Sequence, residues 1–233
     1  MKKKIINLIK DNRISTTEVA DVLGKTGCIE NILPINSMQF FVGETVFVYA
    51  FNNSNWEVHD QLHHLDLENK IVYVHGVNCD RAIFGDLVSK YILLYKKAKA
   101  IVVNGKVRDA HTLIKERYPI WATGVSPIGC VNVKNDEPID QTLYHSLKEK
   151  YDGGIIVCDD SGVVLIPKEK IEETLIEKLN FIEYQEDVWF FCLDTHKMST
   201  FEIVCEKQYL TQKGLLNEKQ LLKLSKFSTA NNK

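Results

Sequence analysis

Short apolar runs rich in β-branched and aromatic residues alternate with amphipathic stretches along most of the chain. The apolar runs predict buried β-strands at 44–51, 71–75 and 100–103. The amphipathic stretches predict helices at 14–24, 56–67, 85–97 and 109–117. Because predicted strands and helices alternate along the sequence, this region is predicted to form a layered α/β domain.

The first predicted helix carries a sequence signal for its start. Ser15 or Thr16 offers a side-chain cap, and Glu18 stands three residues after Ser15. This spacing is typical of a capping box, and Gly24 provides the stop. The pattern therefore predicts a short capped helix ahead of the first long strand.

Neighbouring strands are predicted in the later part of the chain. Residues 155–166 hold two apolar runs around the turn sequence DDSG and predict a β-hairpin. Two short strands are predicted at 120–122 and 129–133, and Pro167 precedes a charged helix predicted at 168–179. Adjacent strands of this kind favour a mixed layered domain over a pure doubly wound sheet.

The composition changes towards the C-terminus. Apolar residues at 188–193 and 201–205 predict two further strands, a Lys- and Leu-rich helix follows, and residues 225–233 are predicted to be disordered. We therefore divide the chain into a main domain, residues 1–179, and a C-terminal extension, residues 180–233. The extension is expected to serve packing or oligomer contacts.

Charge and hydropathy argue against two classes of partner. The 29 basic and 31 acidic side chains nearly cancel, which gives no electrostatic footprint for nucleic acid. No apolar run approaches the roughly 20 residues needed to cross a membrane. The start of the chain, MKKKIINLIK, contains a short apolar stretch that Lys10 and Asp11 interrupt. No small-residue cleavage site follows, so the segment does not resemble a signal peptide. We expect a cytoplasmic protein without direct nucleic-acid or membrane contacts.

The six cysteines stand alone, at positions 28, 79, 130, 158, 192 and 205. No C-x-x-C pair occurs, so the cysteines do not predict a structural zinc site. Cys158 and Cys205 lie in apolar runs, where a reduced thiol behaves as a small core residue. All six cysteines are expected to be reduced and structural.

Charged residues in the segment 85–109 are the strongest candidates for chemistry. Asp86 stands at a predicted helix start, and the pair Arg108–Asp109 follows a predicted strand after the turn dipeptide Asn104–Gly105. Two carboxylates and a guanidinium at the ends of regular elements suit a hard metal ion and a small anionic ligand. Taken alone, an Arg–Asp pair is more often a surface ion pair or helix cap, and Asp86 a first-turn acid that complements its helix dipole.

Two other groups are weaker candidates. His59 and His63 stand four apart with His64 adjacent, which would put two imidazoles on one helix face. Without a third ligand nearby, packing or solvated histidines are favoured over a metal site. The DDSG sequence at 159–162 lacks the further ligands and closing glutamate of a calcium loop, so it is predicted to be a turn.

Five segments of the chain match one family pattern in order: ISTTEVADVLGKTG at 14–27, AIFGDL at 82–87, IVVNGKVRD at 101–109, PIWATGVSPIG at 119–129 and IIVCDDSGVVLIP at 155–167. Together they resemble the RraA-like family over about residues 14–179. This family includes metal-dependent 4-hydroxy-4-methyl-2-oxoglutarate/4-carboxy-4-hydroxy-2-oxoadipate aldolases and the regulator of ribonuclease E activity. The resemblance overturns the interpretation of Asp86 and Arg108–Asp109 as ordinary surface charges.

The resemblance implies a layered β/β/α sandwich like the swivelling phosphohistidine domain, assembled as a homotrimer or dimer of trimers with sites between subunits. It implies a divalent-metal-dependent lyase for small 2-oxo acids. Retro-aldol cleavage of 4-hydroxy-2-oxo diacids and decarboxylation of oxaloacetate would both release pyruvate through a metal-stabilised pyruvate enolate. The alternative is a non-catalytic, protein-binding regulator of ribonuclease E or a related RNA-processing complex, and the presence of Asp86 favours the enzyme.

The resemblance also implies roles for the candidate residues. Asp86 and Arg108 are the expected catalytic residues, because Asp86 would move protons through water and Arg108 would stabilise the enolate charge. Asp109 is the expected ligand of Mg²⁺ or Mn²⁺. The substrate carboxylate is expected to bind Arg108 and the helix start, whose residues are Gly85, Asp86, Leu87 and Val88.

Three features depart from the family pattern. The stretch between Asp86 and Arg108 is one residue longer than usual, in a short connection that can absorb it. Residues 136–154 are polar and partly helix-like where the family has a glycine-rich strand and a Pro-Gly-Asp turn, which indicates a changed domain rim. An acidic side chain that family enzymes receive from a neighbouring subunit has no recognisable counterpart in residues 180–233.

Overall fold

A computed structural model describes residues 1–228 of the chain. The chain forms two compact units, Met1–Ile171 and Glu172–Lys233. The division falls inside the helix predicted at 168–179, because the observed helix begins at Glu173 and belongs to the second unit. The disorder predicted at 225–233 is wrong for residues 225–228, which end a helix; residues 229–233 lie outside the described residues.

The first unit combines a mixed sheet with short helices. Its strands are β1 (Leu33–Pro34), β2 (Phe41–Phe51), β3 (Ile71–Val77), β4 (Ala82–Phe84), β5 (Ala100–Val107), β6 (Ile120–Val125), β7 (Ile155–Asp159) and β8 (Gly162–Ile166). Its helices are α1 (Lys2–Asn12), α2 (Thr16–Val22), α3 (Trp56–His64), α4 (Asp86–Lys90), α5 (Ala110–Lys115) and α6 (Gln141–Tyr151). A π-helical turn, Tyr91–Tyr95, continues α4, and a 3₁₀ turn, Lys168–Lys170, follows β8.

All the strands join one sheet with the order β1-β6-β5-β3-β2-β7-β8, and β4 pairs with β5. The central strands β2, β3, β5 and β6 run parallel, whereas β1, β7 and β8 pair antiparallel with their neighbours. The helices α3, α4 and α5 connect parallel strands and contribute to one hydrophobic core. The predicted layered α/β fold, with alternating elements early and adjacent strands late, is confirmed.

The sheet curls so that its two edges approach each other. Cys28 makes an isolated bridge to Val164 in β8, and a few residues later β1 pairs with β6 at the opposite edge. Trp121 of β6 also donates its indole N–H to the carbonyl of Asp159 in β7 at 2.8 Å. These contacts make the sheet nearly closed.

Both faces of β2 are buried, which explains the continuous apolar run that predicted it. Val46 and Val48 face a core that includes side chains of α3, α4 and α5. Phe47 faces a second core with Trp121 and the β7–β8 hairpin. Because burying one such side chain contributes about 1.5–3 kcal/mol, the two cores hold the strands and the positions of their ends firmly.

Two local predictions are confirmed by their hydrogen bonds. The Ser15 hydroxyl accepts the Glu18 amide at 3.2 Å, and Glu18 Oε2 accepts the Ser15 amide at 2.7 Å, which completes the capping box of α2. Residues 159–162 connect β7 to β8 as a turn. The Asp159 carboxylate accepts hydrogen bonds from the amide and hydroxyl of Thr16 at 2.8 and 2.7 Å. This carboxylate therefore ties α2 to the hairpin.

The turn predicted at Asn104–Gly105 is wrong. Both residues continue β5, which runs on to Val107. A Cβ on Gly105 would lie 2.6 Å from Cδ1 of Ile83. Glycine is required here because β4 packs closely against β5, and not because the chain reverses.

The strand predicted at 129–133 is also wrong. Gly129 makes an isolated bridge to Ala82, and Val131 makes another to Ser54, but no continuous ladder forms. The segment is thus held at separate points near the start of β4.

The second unit is helical in its described part. It comprises α7 (Glu173–His196), a π-helical turn (Phe201–Cys205), α8 (Gln208–Thr211) and α9 (Glu218–Ser228). The strands predicted at 188–193 and 201–205 are therefore wrong. Val188 and Cys192, four residues apart, are buried in one core with Ile203. A short apolar run fits a buried helix as well as a strand, and this i, i+4 spacing is the one that a helix buries.

All six cysteines have free thiols. The predicted core position of Cys158 is confirmed, whereas Cys205 is exposed and its predicted burial is wrong. Within residues 1–228, no helix combines the length and the apolar character that crossing a membrane requires.

Candidate active site

Parallel pairing of β4 with β5 brings the two ends of the segment 85–109 together. Phe84 at the end of β4 pairs with Val107 at the end of β5, and the Arg108 amide donates to the Phe84 carbonyl at 2.9 Å. Because parallel strands place their carboxyl ends at one edge of the sheet, the start of α4 and the start of α5 meet there.

Asp109 precedes α5 but bonds to the start of α4. Its backbone is left-handed, with φ 57° and ψ 33°, a conformation that aspartate tolerates better than most residues. Its side chain does not cap α5; Oδ2 instead accepts the Asp86 amide at 3.0 Å. Arg108 Nε lies 3.7 Å from the same oxygen. The carboxylate thus satisfies an amide that has no partner inside α4.

Two glycines make room for these charged side chains. A Cβ on Gly85 would lie 2.0 Å from Asp109 Oδ2 and 2.7 Å from Arg108 Cγ. A Cβ on Gly129 would lie 2.6 Å from Arg108 Nη1. Since real Cβ atoms do not approach other atoms this closely, a larger residue at either position would displace a charged group.

A cavity of about 120 Å³ opens beside these charges. Its lining includes most of the predicted site residues, namely Gly85, Leu87, Val88, Arg108 and Asp109. The Arg108 side chain is 50% exposed and that of Asp109 is 44% exposed, so both are accessible to a ligand. The structure therefore brings these residues together in one place.

Asp86 contributes its amide to this group, but it is not among the residues that line the cavity. Its partly exposed carboxylate lies near Tyr118. Burial is the main cause that raises the pKa of Tyr118, and the negative charges of Asp86 and Glu116 add to it. The structure therefore places the amide of this predicted proton-moving acid at the cavity, through its bond to Asp109, and leaves Asp86 outside the lining.

Two other segments complete the lining, and the sequence analysis placed neither in this site, although it considered His59 for a separate histidine metal site. One is the start of α3, with Asn55 and His59; the other follows Gly129, with Cys130 and Asn132. The one sequence feature that pointed to this region is the family-like segment 119–129, which ends directly before Cys130. Their contribution depends on long-range packing, which a local pattern does not encode.

The histidines are divided between the cavity and the surface. His59 lines the cavity, whereas His63 and His64 contact each other with ring centroids 4.8 Å apart and are not in the lining. The weaker hypothesis of a metal site at these histidines is not supported by this arrangement.

Asp109 has the chemistry expected for a hard cation. Within the described residues, no three His, Cys, Asp or Glu side chains form a cluster able to hold an ion. The Asp109 carboxylate is accessible, and the buried Oδ1 of Asn55, in the same lining, has no hydrogen-bond partner in residues 1–228. Since Mg²⁺ usually keeps several waters and takes one or two protein carboxylates, the accessible Asp109 carboxylate fits such an ion.

Comparison with known families gives one clear match. The model of the RraA-like family, described as Aldolase/RraA, matches residues 16–165. This range contains the segment 85–109 and the cavity-lining residues that follow Gly129.

Individual proteins resemble the chain at lower similarity. Protein DlpA of Legionella pneumophila is 25% identical over 175 residues, 72% of this chain, and the chain spans only 28% of that protein's length. A Halalkalibacterium halodurans protein named "Putative 4-hydroxy-4-methyl-2-oxoglutarate aldolase" is 29% identical over 179 residues, 71% of this chain and 78% of that protein. The solved RNA-processing inhibitor RraA from Thermus thermophilis has a TM-score of 0.52 and 20% identity, covering 65% of this chain and 92% of that one. This last likeness concerns the fold alone.

Proposed function

Because the chain belongs to the RraA-like family, we propose that it is a divalent-metal-dependent lyase acting on small 2-oxo acids. The family description includes aldolases, and the relative from Halalkalibacterium halodurans bears an aldolase name. The observation that carries the proposal is the contact of Asp109 with Arg108 and with the Asp86 amide at one accessible cavity.

Arg108 would bind the carboxylate of the 2-oxo acid. A guanidinium stays charged at any working pH, and its planar fork matches the two oxygens of a carboxylate. The missing side chain of Gly129 leaves room for Nη1. The amides of Leu87 and Val88 at the helix start would add donors, because the first helical amides have no partners within the helix and the Asp86 amide already donates to Asp109.

Asp109 would hold Mg²⁺ or Mn²⁺. Its carboxylate is a hard oxygen ligand, and the Asp86 amide at 3.0 Å orients it. When bound, the cation would supply Lewis-acid polarisation of the substrate's keto oxygen. The positive charge of Arg108 beside this residue favours an anionic substrate at the same place.

The proposed reaction breaks the bond between C3 and C4 of a 4-hydroxy-2-oxo diacid. The C4 hydroxyl loses its proton and becomes a carbonyl, while the bonding electron pair passes to C3 and gives pyruvate enolate. Oxaloacetate would reach the same enolate by losing carbon dioxide. Arg108 stabilises the enolate charge, and Asp86 takes the hydroxyl proton and returns a proton to C3 through water.

We propose a homotrimer or dimer of trimers with sites between subunits. Among the described residues, Asp109 is the one acid in the cavity lining, and no cluster of three metal-binding side chains occurs. A neighbouring subunit would supply a further acidic side chain. Such an assembly would explain why one chain provides only part of a metal site.

Gly129→Ala is expected to weaken substrate binding while sparing the fold. The new Cβ would lie 2.6 Å from Arg108 Nη1, at the end of a flexible side chain, so the guanidinium would move aside. We expect the KM for the 2-oxo acid to rise roughly tenfold, the size of one lost hydrogen bond to a charged group. Steady-state kinetics and thermal unfolding measure this.

The matched control for Gly129→Ala is the same change made together with Arg108→Ala. If the glycine acts through the guanidinium, the double variant should have the KM of Arg108→Ala alone. An unchanged KM in the single variant would show that Arg108 is not placed by Gly129.

The direct test of the lyase is a panel of 2-oxo acids assayed for pyruvate release. With Mg²⁺ or Mn²⁺, the purified protein is expected to release pyruvate from oxaloacetate or from a 4-hydroxy-2-oxo diacid. EDTA should abolish the release, and excess metal should restore it. Because free metal ions also decarboxylate oxaloacetate, the Arg108→Ala protein at the same metal concentration is the control.

A non-catalytic, protein-binding regulator is the second candidate. The solved protein from Thermus thermophilis that shares the fold is described as an RNA-processing inhibitor. No turnover of the whole panel with either metal, together with capture of a ribonuclease or RNA helicase, would establish the regulator and reject the lyase.

A further inference from the structure

A half-buried histidine lies beside helix α6, on the sheet face opposite the core that α3, α4 and α5 share. His75 of β3 pairs side by side with Tyr49 of β2 and Asn104 of β5, near the carboxyl ends of these strands. It lies on the same face of β3 as Tyr73, which belongs to the second core. None of these four residues lines the candidate active site.

Two hydrogen bonds require the His75 ring to be uncharged. Its Nδ1 lies 3.0 Å from the Tyr73 hydroxyl and 3.2 Å from Nδ2 of Asn104. Because an amide nitrogen can only donate, Nδ1 must accept, and the single ring proton lies on Nε2. A second proton, placed on Nδ1, would point at the hydrogens of Asn104. Protonation of His75 therefore removes the acceptor that both neighbours use.

Helix α6 is held on the sheet by two tyrosines on one of its faces. Tyr151 is the one buried residue of α6, and its ring stacks on Tyr73 with centroids 4.3 Å apart. Tyr144, seven residues earlier, meets Tyr49 edge to face with centroids 5.5 Å apart. Most other residues of α6 are exposed. The docking of α6 therefore depends on the aromatic side chains that surround His75.

The charge nearest to His75 opposes a positive imidazole. The Tyr151 ring lies 5.9 Å from the His75 ring, and Lys150 Nζ lies 5.0 Å from the centre of the same tyrosine ring. Burial is the main cause that lowers the pKa of His75, and the positive charge of Lys150 adds to it. Its two hydrogen-bonding neighbours and Tyr49 are neutral, and no carboxylate in residues 1–228 forms an ion pair with it. A protonated ring would thus lie unpaired near the cation of α6.

We propose that protonation of His75 releases α6 from the sheet, so that this helix is an acid-sensitive cover over the carboxyl ends of β2, β3 and β5. In the closed state the neutral ring keeps its two hydrogen bonds and the tyrosines stay docked. In the open state water solvates both the imidazolium and the ammonium of Lys150, which lie close together when the helix is closed. Opening would expose the polar row formed by Tyr49, His75 and Asn104.

The direction of the pH effect follows from the two states. The closed state has the lower histidine pKa, and the open state has the ordinary value of about 6.5. Closing is therefore most favourable above this value and becomes less favourable as the pH falls below it. The C-terminal end of α6 would stay attached, because Asp152 Oδ1 accepts the Phe47 amide and the Gly153 amide donates to the Thr45 carbonyl, each at 2.9 Å.

The test is hydrogen–deuterium exchange of the full chain, measured by mass spectrometry between about pH 5.5 and 7.5. Each exchange rate is divided by the intrinsic rate at the same pH, which gives the opening equilibrium of that segment. We expect the opening of α6 to increase up to roughly tenfold from the upper to the lower pH, as the binding of one proton allows. Peptides from β5 should keep their protection, because the sheet itself does not open.

His75→Gln separates this histidine from other effects of acid. The glutamine oxygen can accept from Asn104 and does not titrate, so the opening of α6 should become independent of pH. His145→Gln is the matched control, since His145 is an exposed histidine on α6 itself, and this variant should keep the full response. Lys150→Met changes an exposed residue and removes the repulsion, so the response should persist but become smaller.

Three results would overturn the acid-sensitive cover. One is protection of α6 that does not change with pH. Another is a joint loss of protection in α6 and β5, because acid would then unfold the whole domain. The third is a pH response that survives in His75→Gln or stays unchanged in Lys150→Met. Pyruvate release is not measured in this test, so the cover and the lyase stand or fall separately.

Discussion

Asp109→Asn is expected to lower metal-dependent pyruvate release by roughly 10²–10³-fold while leaving the fold intact. Asparagine tolerates the left-handed backbone at this position, φ 57°, and its amide oxygen can still accept the Asp86 amide. The substitution therefore removes the negative charge and keeps the hydrogen bond. Pyruvate release at saturating Mn²⁺ and thermal unfolding measure the two effects separately.

Asp109→Ala is the matched comparison. It removes both the charge and the cap at the start of α4, so it should lose activity as the asparagine variant does. It should also lower the free energy of unfolding by about 1 kcal/mol, as expected for a lost helix cap. If Asp109→Asn retains the full rate, the carboxylate serves only as a cap, and the proposed metal ligand is wrong.

Gly85→Ala is expected to lower the rate by roughly 10²-fold, the effect of a displacement of about 1 Å in an active site. The added Cβ would lie 2.0 Å from Asp109 Oδ2, so the carboxylate would have to leave its position. The φ of Gly85 is −139°, so alanine would not meet the penalty of a left-handed backbone, and the loss is expected from this collision. Single-turnover pyruvate release by Gly85→Ala and by the unchanged protein measures this loss of rate.

A double-variant cycle tests whether Gly85 acts through Asp109. In the Asp109→Asn background, Gly85→Ala should cost little further activity, because the group it displaces has already lost its charge. Additive losses would instead mean that Gly85 has a separate role, such as a close backbone approach to the substrate.

The sheet was predictable because its central strands are buried on both faces. Short continuous apolar runs such as 71–75, rich in β-branched residues, predict a buried strand. The Ser15–Glu18 capping box is a local signal for a helix start that needs no tertiary information. The failures occurred where packing overrode local preference. The dipeptide Asn104–Gly105 is typical of turns, yet the approach of β4 kept it extended. The apolar residues at 188–193 had no flanking Gly or Pro to separate a strand from a helix.

The candidate site was predictable only in part, for a related reason. Arg108 and Asp109 adjoin the Asp86 amide because β4 and β5 are parallel neighbours, and β4 was not among the predicted strands. The side-chain direction of Asp86 and the arrival of Asn55 depend on how distant segments pack. No period or motif in the chain encodes those contacts.

The hydrogen bond between Asp109 Oδ2 and the Asp86 amide has a consequence for ligand selection. The free protein already contains an internal competitor for any anion that approaches this amide. Because Asp109 occupies this amide, a ligand carboxylate is left with Arg108 and the amides of Leu87 and Val88, and an uncharged analogue gains little from the guanidinium. Esters and amides of the 2-oxo acid should therefore be rejected more strongly than their size alone would suggest.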